Sequence, residues 1–246
     1  MAIIANIYQK VTTMVDEFYL KLRKEYEGSL VKTKIAKSLD ENAKEYLYRL
    51  AKEGFIEYVS WGWYFIGTDT NDFMEFIGKD KNLKIIAGQS AASFWNYDFV
   101  HRDSYTILVN DKSYMEAMKQ FVKLRGWDVG ISYSNILPMY VKKGNLLIED
   151  LEPTIFDCID RWAFLDAFSV VYVQRKKIDL IKLVKENYWR RIPKSDIRTG
   201  QILGYGFKKL NQAIKKNTFP AYKTNLKDTF ITRSIDESIE RVIEFA

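Results

Sequence analysis

Cysteine and histidine are almost missing: the 246 residues contain one of each, Cys158 and His101. A single cysteine excludes an internal disulfide framework and suits a reducing compartment, so a cytoplasmic location is expected. One of each also excludes a zinc site built from the usual nitrogen and sulfur ligands, and no metal or cofactor is expected. No apolar run reaches the eighteen or so residues that a membrane helix needs, which excludes a membrane partner. The opening, Met1-Ala-Ile-Ile-Ala-Asn, is apolar but lacks the basic start and cleavage site of a signal peptide.

What is present is ordinary in amount and uneven in placement. The apolar fraction is 47% and the charged fraction 28%, usual for a globular protein. Residues 1–70 carry ten basic and ten acidic side chains, and residues 71–171 carry eleven and fourteen. Residues 172–246 carry seventeen and eight, so the surplus behind the net +6 lies at the end. Within it, Tyr172 to Lys223 holds fourteen Lys and Arg against three acids. Such a stripe fits a polyanion partner, and equally a solvated basic helix face.

Apolar residues at Ile4, Ile7, Val11, Met14, Val15, Phe18 and Leu22 make one stripe and predict a long helix over 3–27. Thr33 is placed to cap a short helix of Lys34 to Leu39 that buries Ile35, Ala36 and Leu39. Asp40 is placed to cap a second helix, Glu41 to Glu53, with Ala43, Leu47, Leu50 and Ala51 inward. Gly54 ends it, since only glycine enters the left-handed region without a Cβ penalty. Phe55 to Val59 and Trp63 to Ile66 read as strands joined by Ser60-Trp61-Gly62. Helix, turn, helix, hairpin is the order of a winged helix-turn-helix.

The polar stretch Gly67 to Asp72 then marks a domain boundary. The expected class is α+β: a winged helix-turn-helix over 1–70, then a mixed α/β domain over 71–246 with a helical, basic end. In the second domain, strands are expected at 83–87, 105–109 and 129–132, with a hairpin of 139–141 and 146–148. Helices are expected at 90–97 and 112–124, and after Pro153 over 154–162. From Phe164 to about Lys216 the pattern is helical, broken near Pro193 and at Gly200, Gly204 and Gly206. Ser234 is read as the cap of a last helix, Ile235 to Phe245.

Three stretches in this order resemble the AbiEi-type antitoxins of type IV toxin–antitoxin systems. They are the leucine-rich helix and short wing of Tyr46 to Tyr64, the helix start Ile85-Ile-Ala-Gly-Gln-Ser-Ala-Ala-Ser-Phe94 with the strand Tyr105 to Val109, and Leu151-Glu-Pro-Thr-Ile-Phe-Asp-Cys-Ile159. The resemblance spans about Val31 to Ala213. It departs from the family at Pro153, usually Arg, at Trp95 to Phe99, and in the uncharged wing residues Ser60 and Trp61. It implies a regulator that represses its own promoter and opposes a nucleotidyltransferase-like toxin encoded beside it, without a stable complex between the two.

Reading bases in a major groove needs polar side chains along the outer face of a helix whose inner face holds the core. Asn42, Lys44, Glu45, Tyr48 and Arg49 meet that pattern, with Lys52 beside them. Arg suits guanine and Asn suits adenine, while Lys44, Lys52, Lys32, Lys34 and Lys37 suit phosphates. Trp61 at the wing tip suits the sugar-phosphate backbone or the minor groove, and Trp63 suits the strand core. A secondary basic face of Lys182, Lys185, Arg190 and Arg191 is expected on one helix, opposite Ile178, Ile181, Val184 and Tyr188. Double-stranded DNA is therefore the expected partner, and the protein is read as a regulator and not an enzyme.

Two rivals stand beside that reading. One is a repressor whose second domain senses a small molecule, which a closed apolar pocket would favour. The other is a nucleotidyltransferase-like enzyme with a DNA-binding arm, suggested by Gly88-Gln89-Ser90 after a strand. That chemistry needs paired carboxylates for magnesium, and Tyr105 to Val109 carries none, while Asp98, Asp103 and Asp111 fall outside it. Carboxylates converging beside Gly88 would favour it. Asp157 and Asp160 are expected to pair with the basic segment, and Cys158 to sit in the core.

Overall fold

The computed structural model describes residues 2–67, 70, 72–96, 104–185, 197–222 and 224–245, with side chains from residue 14 onward. It is an α+β chain with two sheets, and it separates into two compact units. The first comprises residues 1–83 and 111–127, the second residues 84–110 and 128–246. The polar break expected to end the first domain near residue 70 lies partly outside the described residues, and the first unit continues past it.

The first unit begins with α1 (Ala2–Tyr26), β1 (Ser29–Lys32), α2 (Thr33–Ala36) and α3 (Ala43–Lys52). The hairpin β2 (Glu57–Ser60) and β3 (Trp63–Ile66) follows. Three antiparallel strands lie in the order β1-β3-β2. One face of this sheet packs with α1 and α3 through Val15, Phe18, Leu22, Ala43, Tyr46, Leu47, Leu50, Tyr64 and Ile66. Met14, counted in the α1 stripe by spacing, is exposed.

All four residues of β3 are buried, because the sheet is covered on both faces. The second cover is α4 (Phe73–Lys79) and α6 (Lys112–Arg125), elements that follow β3 in sequence. Phe65 meets Phe121 at 4.6 Å between ring centroids, and Phe121 meets Phe76 at 4.9 Å and Trp127 at 5.7 Å. Arg125 lies over Phe121 and makes a two-pronged contact with Glu57. Buried Asp80 ties the layers together, accepting from the Leu30 amide at 3.0 Å and from the Tyr114 hydroxyl. Burial and the Asp80 carboxylate hold the Tyr114 hydroxyl well above its usual pKa.

Local chemistry departs from expectation at two caps in this unit. Thr33 does not cap α2; its hydroxyl and amide both donate to Gly62 O, at 3.1 and 2.7 Å, pinning the hairpin turn. The helix is a single turn, so Ile35 is left 38% exposed. Asp40 closes an Asx turn on the Asn42 amide, and α3 starts at Ala43 rather than at Glu41.

The second unit carries a five-stranded mixed sheet in the order β6-β5-β4-β8-β7. Its strands are β4 (Lys84–Ile86), β5 (Tyr105–Val109), β6 (Val129–Tyr133), β7 (Tyr140–Lys143) and β8 (Leu146–Glu149). Its helices are α5 (Gly88–Asn96), α7 (Leu151–Asp160), α8 (Phe164–Gln174), α9 (Leu180–Leu183), α10 (Ile197–Ala213) and α11 (Thr229–Glu244). Strands β5 and β6 are parallel neighbours, and the helix joining them, α6, belongs to the first unit.

Gly200, Gly204 and Gly206 lie inside α10 and do not break it. Gly204 and Gly206 are there for close approach. A Cβ on Gly206 would meet the Phe168 ring at 2.1 Å, and one on Gly204 would meet Tyr222 at 2.3 Å. Ser234 likewise sits within α11, whose cap is Asp228, accepting from the amides of Phe230 and Ile231. Cys158 is fully buried in the core of α5, α7, α8, α10 and α11.

Candidate nucleic-acid interface

Helix α3 buries Ala43, Tyr46, Leu47 and Leu50 and turns Lys44, Glu45, Tyr48 and Lys52 outward, as 3.6 residues per turn requires. Tyr48 is 66% exposed. Asn42, at the helix start, is exposed and makes no capping bond with its side chain. Arg49 is half-exposed, and its Nε donates to Glu53 one turn on at 2.9 Å. To reach a base it must leave that carboxylate, a small cost for a surface pair at about 0.2–1 kcal/mol.

Helix α3 ends in a Schellman motif. The Phe55 amide donates to Leu50 O at 2.9 Å and the Gly54 amide to Ala51 O at 3.2 Å, with Gly54 at φ 79°. That closure turns the chain sharply into the hairpin. At the hairpin tip Gly62 takes φ 72°, and Trp61 beside it is 94% exposed. Trp63 faces inward instead, and its indole donates to Ser113 Oγ at 3.0 Å.

Lys34, within α2, and Lys37, its C-cap residue, are exposed. Lys32 is not available in the way its sequence position suggests. It is half-buried, its Nζ donates to Ser113 Oγ at 2.9 Å, and it lies over the Trp63 ring at 5.7 Å. Its work is internal, joining β1 to α6.

The secondary basic face departs further from expectation. Arg175 to Arg191 is not one helix: α8 ends at Gln174, whose side-chain amide donates to Trp95 O. Asp179 then caps the single turn α9, accepting from the Lys182 amide at 2.9 Å. Ile178 and Val184 are buried as the spacing implied, but Ile181 is 60% exposed. Lys185 is exposed and Lys182 half-exposed, while Tyr188, Arg190 and Arg191 lie outside the described residues.

Two carboxylates meet at Gly88, the first residue of α5. Glu149, at the end of β8, accepts from the Gly88 amide at 2.8 Å. Asp157 Oδ2 lies 2.5 Å from the point a Gly88 Cβ would occupy. Asp157 pairs with Arg161, the C-cap residue of its own helix, at 2.9 Å and not with the basic segment, while Asp160 accepts from Thr199 at 3.2 Å. Glu149 is 3% exposed, and its pKa rises to about 8 because burial and nearby Asp157 disfavour its charge. Sequence reading missed Glu149. The one signal lay in Asp150, which caps α7 and so fixes Glu149 as the last residue of β8.

Among the described residues, no group of three His, Cys, Asp or Glu side chains is arranged to hold a metal, and no helix is long and apolar enough to cross a membrane. Comparison with protein-family models and with curated proteins finds no match.

Proposed function

We propose that the first unit is a winged helix-turn-helix and that the protein is a DNA-binding transcriptional regulator, with α3 entering the major groove and the hairpin tip resting on the adjacent backbone. The observation that carries this reading is the pairing of two surfaces in one unit. An amphipathic helix presents Lys44, Tyr48 and Lys52, with Arg49 one rotamer away, and a hairpin presents an almost fully exposed Trp61. The element order of α1, β1, α2, α3, β2 and β3, with β1 alongside β3, supports it. In this reading Lys34, Lys37, Lys44 and Lys52 meet phosphates, and Asn42, Arg49 and Tyr48 face bases. Glu45 sits on the same face and would accept from a cytosine amino group.

Anisotropy titrations of the full chain on the duplex upstream of its own coding region test the proposal. Arg49→Ala should weaken specific binding by about 1–3 kcal/mol if it pairs with a guanine. Lys52→Ala should weaken all duplexes alike and reduce the salt slope by about 0.9. Unchanged affinity of a Tyr48→Ala, Arg49→Ala double variant would sink the assignment. The resemblance to AbiEi-type antitoxins extends the proposal to autorepression opposite a nucleotidyltransferase-like toxin. A neighbouring gene whose product is not toxic would remove that extension and leave the regulator.

A second reading, an enzyme with a DNA-binding arm, has one observation in its favour: Glu149 and Asp157 converge beside Gly88. Their chemistry weighs against it. Burial disfavours the charged form of Glu149, which already accepts from the Gly88 amide, and Asp157 is matched by Arg161, so the pair offers a divalent cation little net charge. Transfer of a labelled nucleotide by the purified protein, lost in Asp157→Asn, would favour the enzyme.

A further inference from the structure

A cavity of about 460 Å³ opens at the end of α10, within the range of small-ligand sites. Lys208, Lys215 and Lys216 line it together with the amides of Gln212 and Asn217 and the side chain of Tyr222. Among the described residues that line it there is no carboxylate. Among the described residues, none of the three lysines makes an ion pair, although Lys209, one residue away, is paired with Asp236 at 2.9 Å. The three positive charges therefore face one space with no internal partner.

The site is built before any ligand arrives. Asn211 fastens the returning chain to the helix: its Oδ1 accepts from the amides of Thr218 and Phe219, and its Nδ2 donates to Phe219 O, all at 2.8 Å. Tyr222 is seated against Gly204, where no side chain is tolerated. Two of the carbonyls at the helix end, which would repel an anion, are closed. Gln212 O accepts from the Lys215 amide at 3.2 Å and Asn211 O from the Lys216 amide at 3.1 Å.

Lys215 itself is the informative residue. It holds φ 53°, in the left-handed region, at the position of the motif where glycine relieves strain. Backbone strain of this kind is retained where a side chain is needed. We infer that this cavity binds a nucleoside phosphate, with its phosphates on Lys208, Lys215 and Lys216 and its base against Tyr222. Ammonium groups supply the charge for phosphate, the phenol ring a flat surface, and Gln212 and Asn217 donors and acceptors for base edges. The inference stands independently of DNA binding by the first unit.

Calorimetric titration of the full chain with AMP, ADP, ATP and inorganic pyrophosphate tests it. Affinity should rise from AMP to ATP, as each phosphate finds a further lysine, and ADP should bind more tightly than pyrophosphate. Lys216→Ala combined with Lys215→Gly should weaken ADP binding roughly tenfold or more, while Lys215→Gly alone raises the melting temperature. That combination of a tighter fold and a weaker site is not expected of lysines that serve only solubility. Absence of saturable binding by ADP and ATP up to about 1 mM would overturn the inference. So would equal affinities of ADP and pyrophosphate, or a double variant that loses duplex DNA affinity while nucleotide binding is unchanged.

Discussion

Helices end differently in the two units. In the first, α3 and α6 both close with a glycine in the left-handed region, Gly54 at φ 79° and Gly126 at φ 69°. In the second, α7 and α10 close with the same pair of hydrogen bonds, but the left-handed residues are Trp162 at φ 62° and Lys215 at φ 53°. A residue with a Cβ costs about 1–2 kcal/mol there. Trp162 returns part of that by stacking on Phe164 at 6.2 Å and meeting the tilted Phe230 ring at 5.9 Å, with the Arg198 guanidinium over its ring. Lys215 makes no such contact with the core and lines the cavity instead. Among the described residues, the first unit places only glycines in the left-handed region, whereas the second places Trp162 and Lys215 there.

The comparison is sharpest where a unit is cut. Residues 1–70 alone lack α4 and α6, so Phe65 and Trp63 lose the layer that buries them. That fragment should show no cooperative thermal transition by circular dichroism. Residues 1–83 joined to 111–127 by a short flexible linker should show one, because Lys84 and Val109 are paired across β4 and β5 and the two cut ends lie close. A cooperative melt of the shorter fragment would break the distinction between unit and sequence segment.

Single glycines give the next largest contrast. Gly206→Ala drives a methyl group into the Phe168 ring and should cost about 3 kcal/mol, read from denaturant unfolding. Glu149 should give a pH signature confined to the second unit. Its folded pKa near 8 lies above the ordinary 4.5, so the folded chain keeps a proton that the unfolded chain releases. The resulting stabilisation is complete below about pH 4.5 and is lost as pH rises through about 8, a change of a few kcal/mol. Glu149→Gln should flatten that slope, and an unaltered slope would mean that another group carries it.

The smallest effects test the helix ends themselves, and they should differ in sign. At Gly54 no atom lies within 4 Å of an added Cβ, so Gly54→Ala isolates the backbone term and should destabilise by about 1 kcal/mol. Lys215→Gly should stabilise by about 0.5–1 kcal/mol. Equal signs in paired melting measurements would show that neighbouring contacts, and not the dihedral, set the cost.

Periodicity made much of the first unit legible, because α3, Gly54 and the Trp61-Gly62 turn are local signals. The division of α3 into a buried and an exposed face followed from the same 3.6-residue spacing. What escaped was long-range. Four consecutive apolar residues, Trp63 to Ile66, report a strand buried on both faces, but not which later elements cover it. Asp72 read as the end of a polar break between domains, although it accepts from the Met74 and Glu75 amides and starts α4. Gly204 and Gly206 read as breakers because their partners, Tyr222 and Phe168, are close only in space. Lys32 looked like a free cation for the same reason, since Ser113 is eighty-one positions away.

The borrowed helix α6 sets an order of events during synthesis. A ribosome that has just released residue 83 has delivered the three-stranded sheet with its second cover half made, α4 present and α6 still to come. Before α6 arrives it must deliver β4 and β5, a pair whose neighbours β8 and β6 have not yet been made. At roughly 5–20 residues per second the exposed face of β3 waits a few seconds for Phe121. Throughout that interval two unfinished sheets are present on one nascent chain, and neither can close by itself. The first unit therefore does not mature as a free-standing N-terminal module; its completion is timed by residues that lie beyond the first strands of the second.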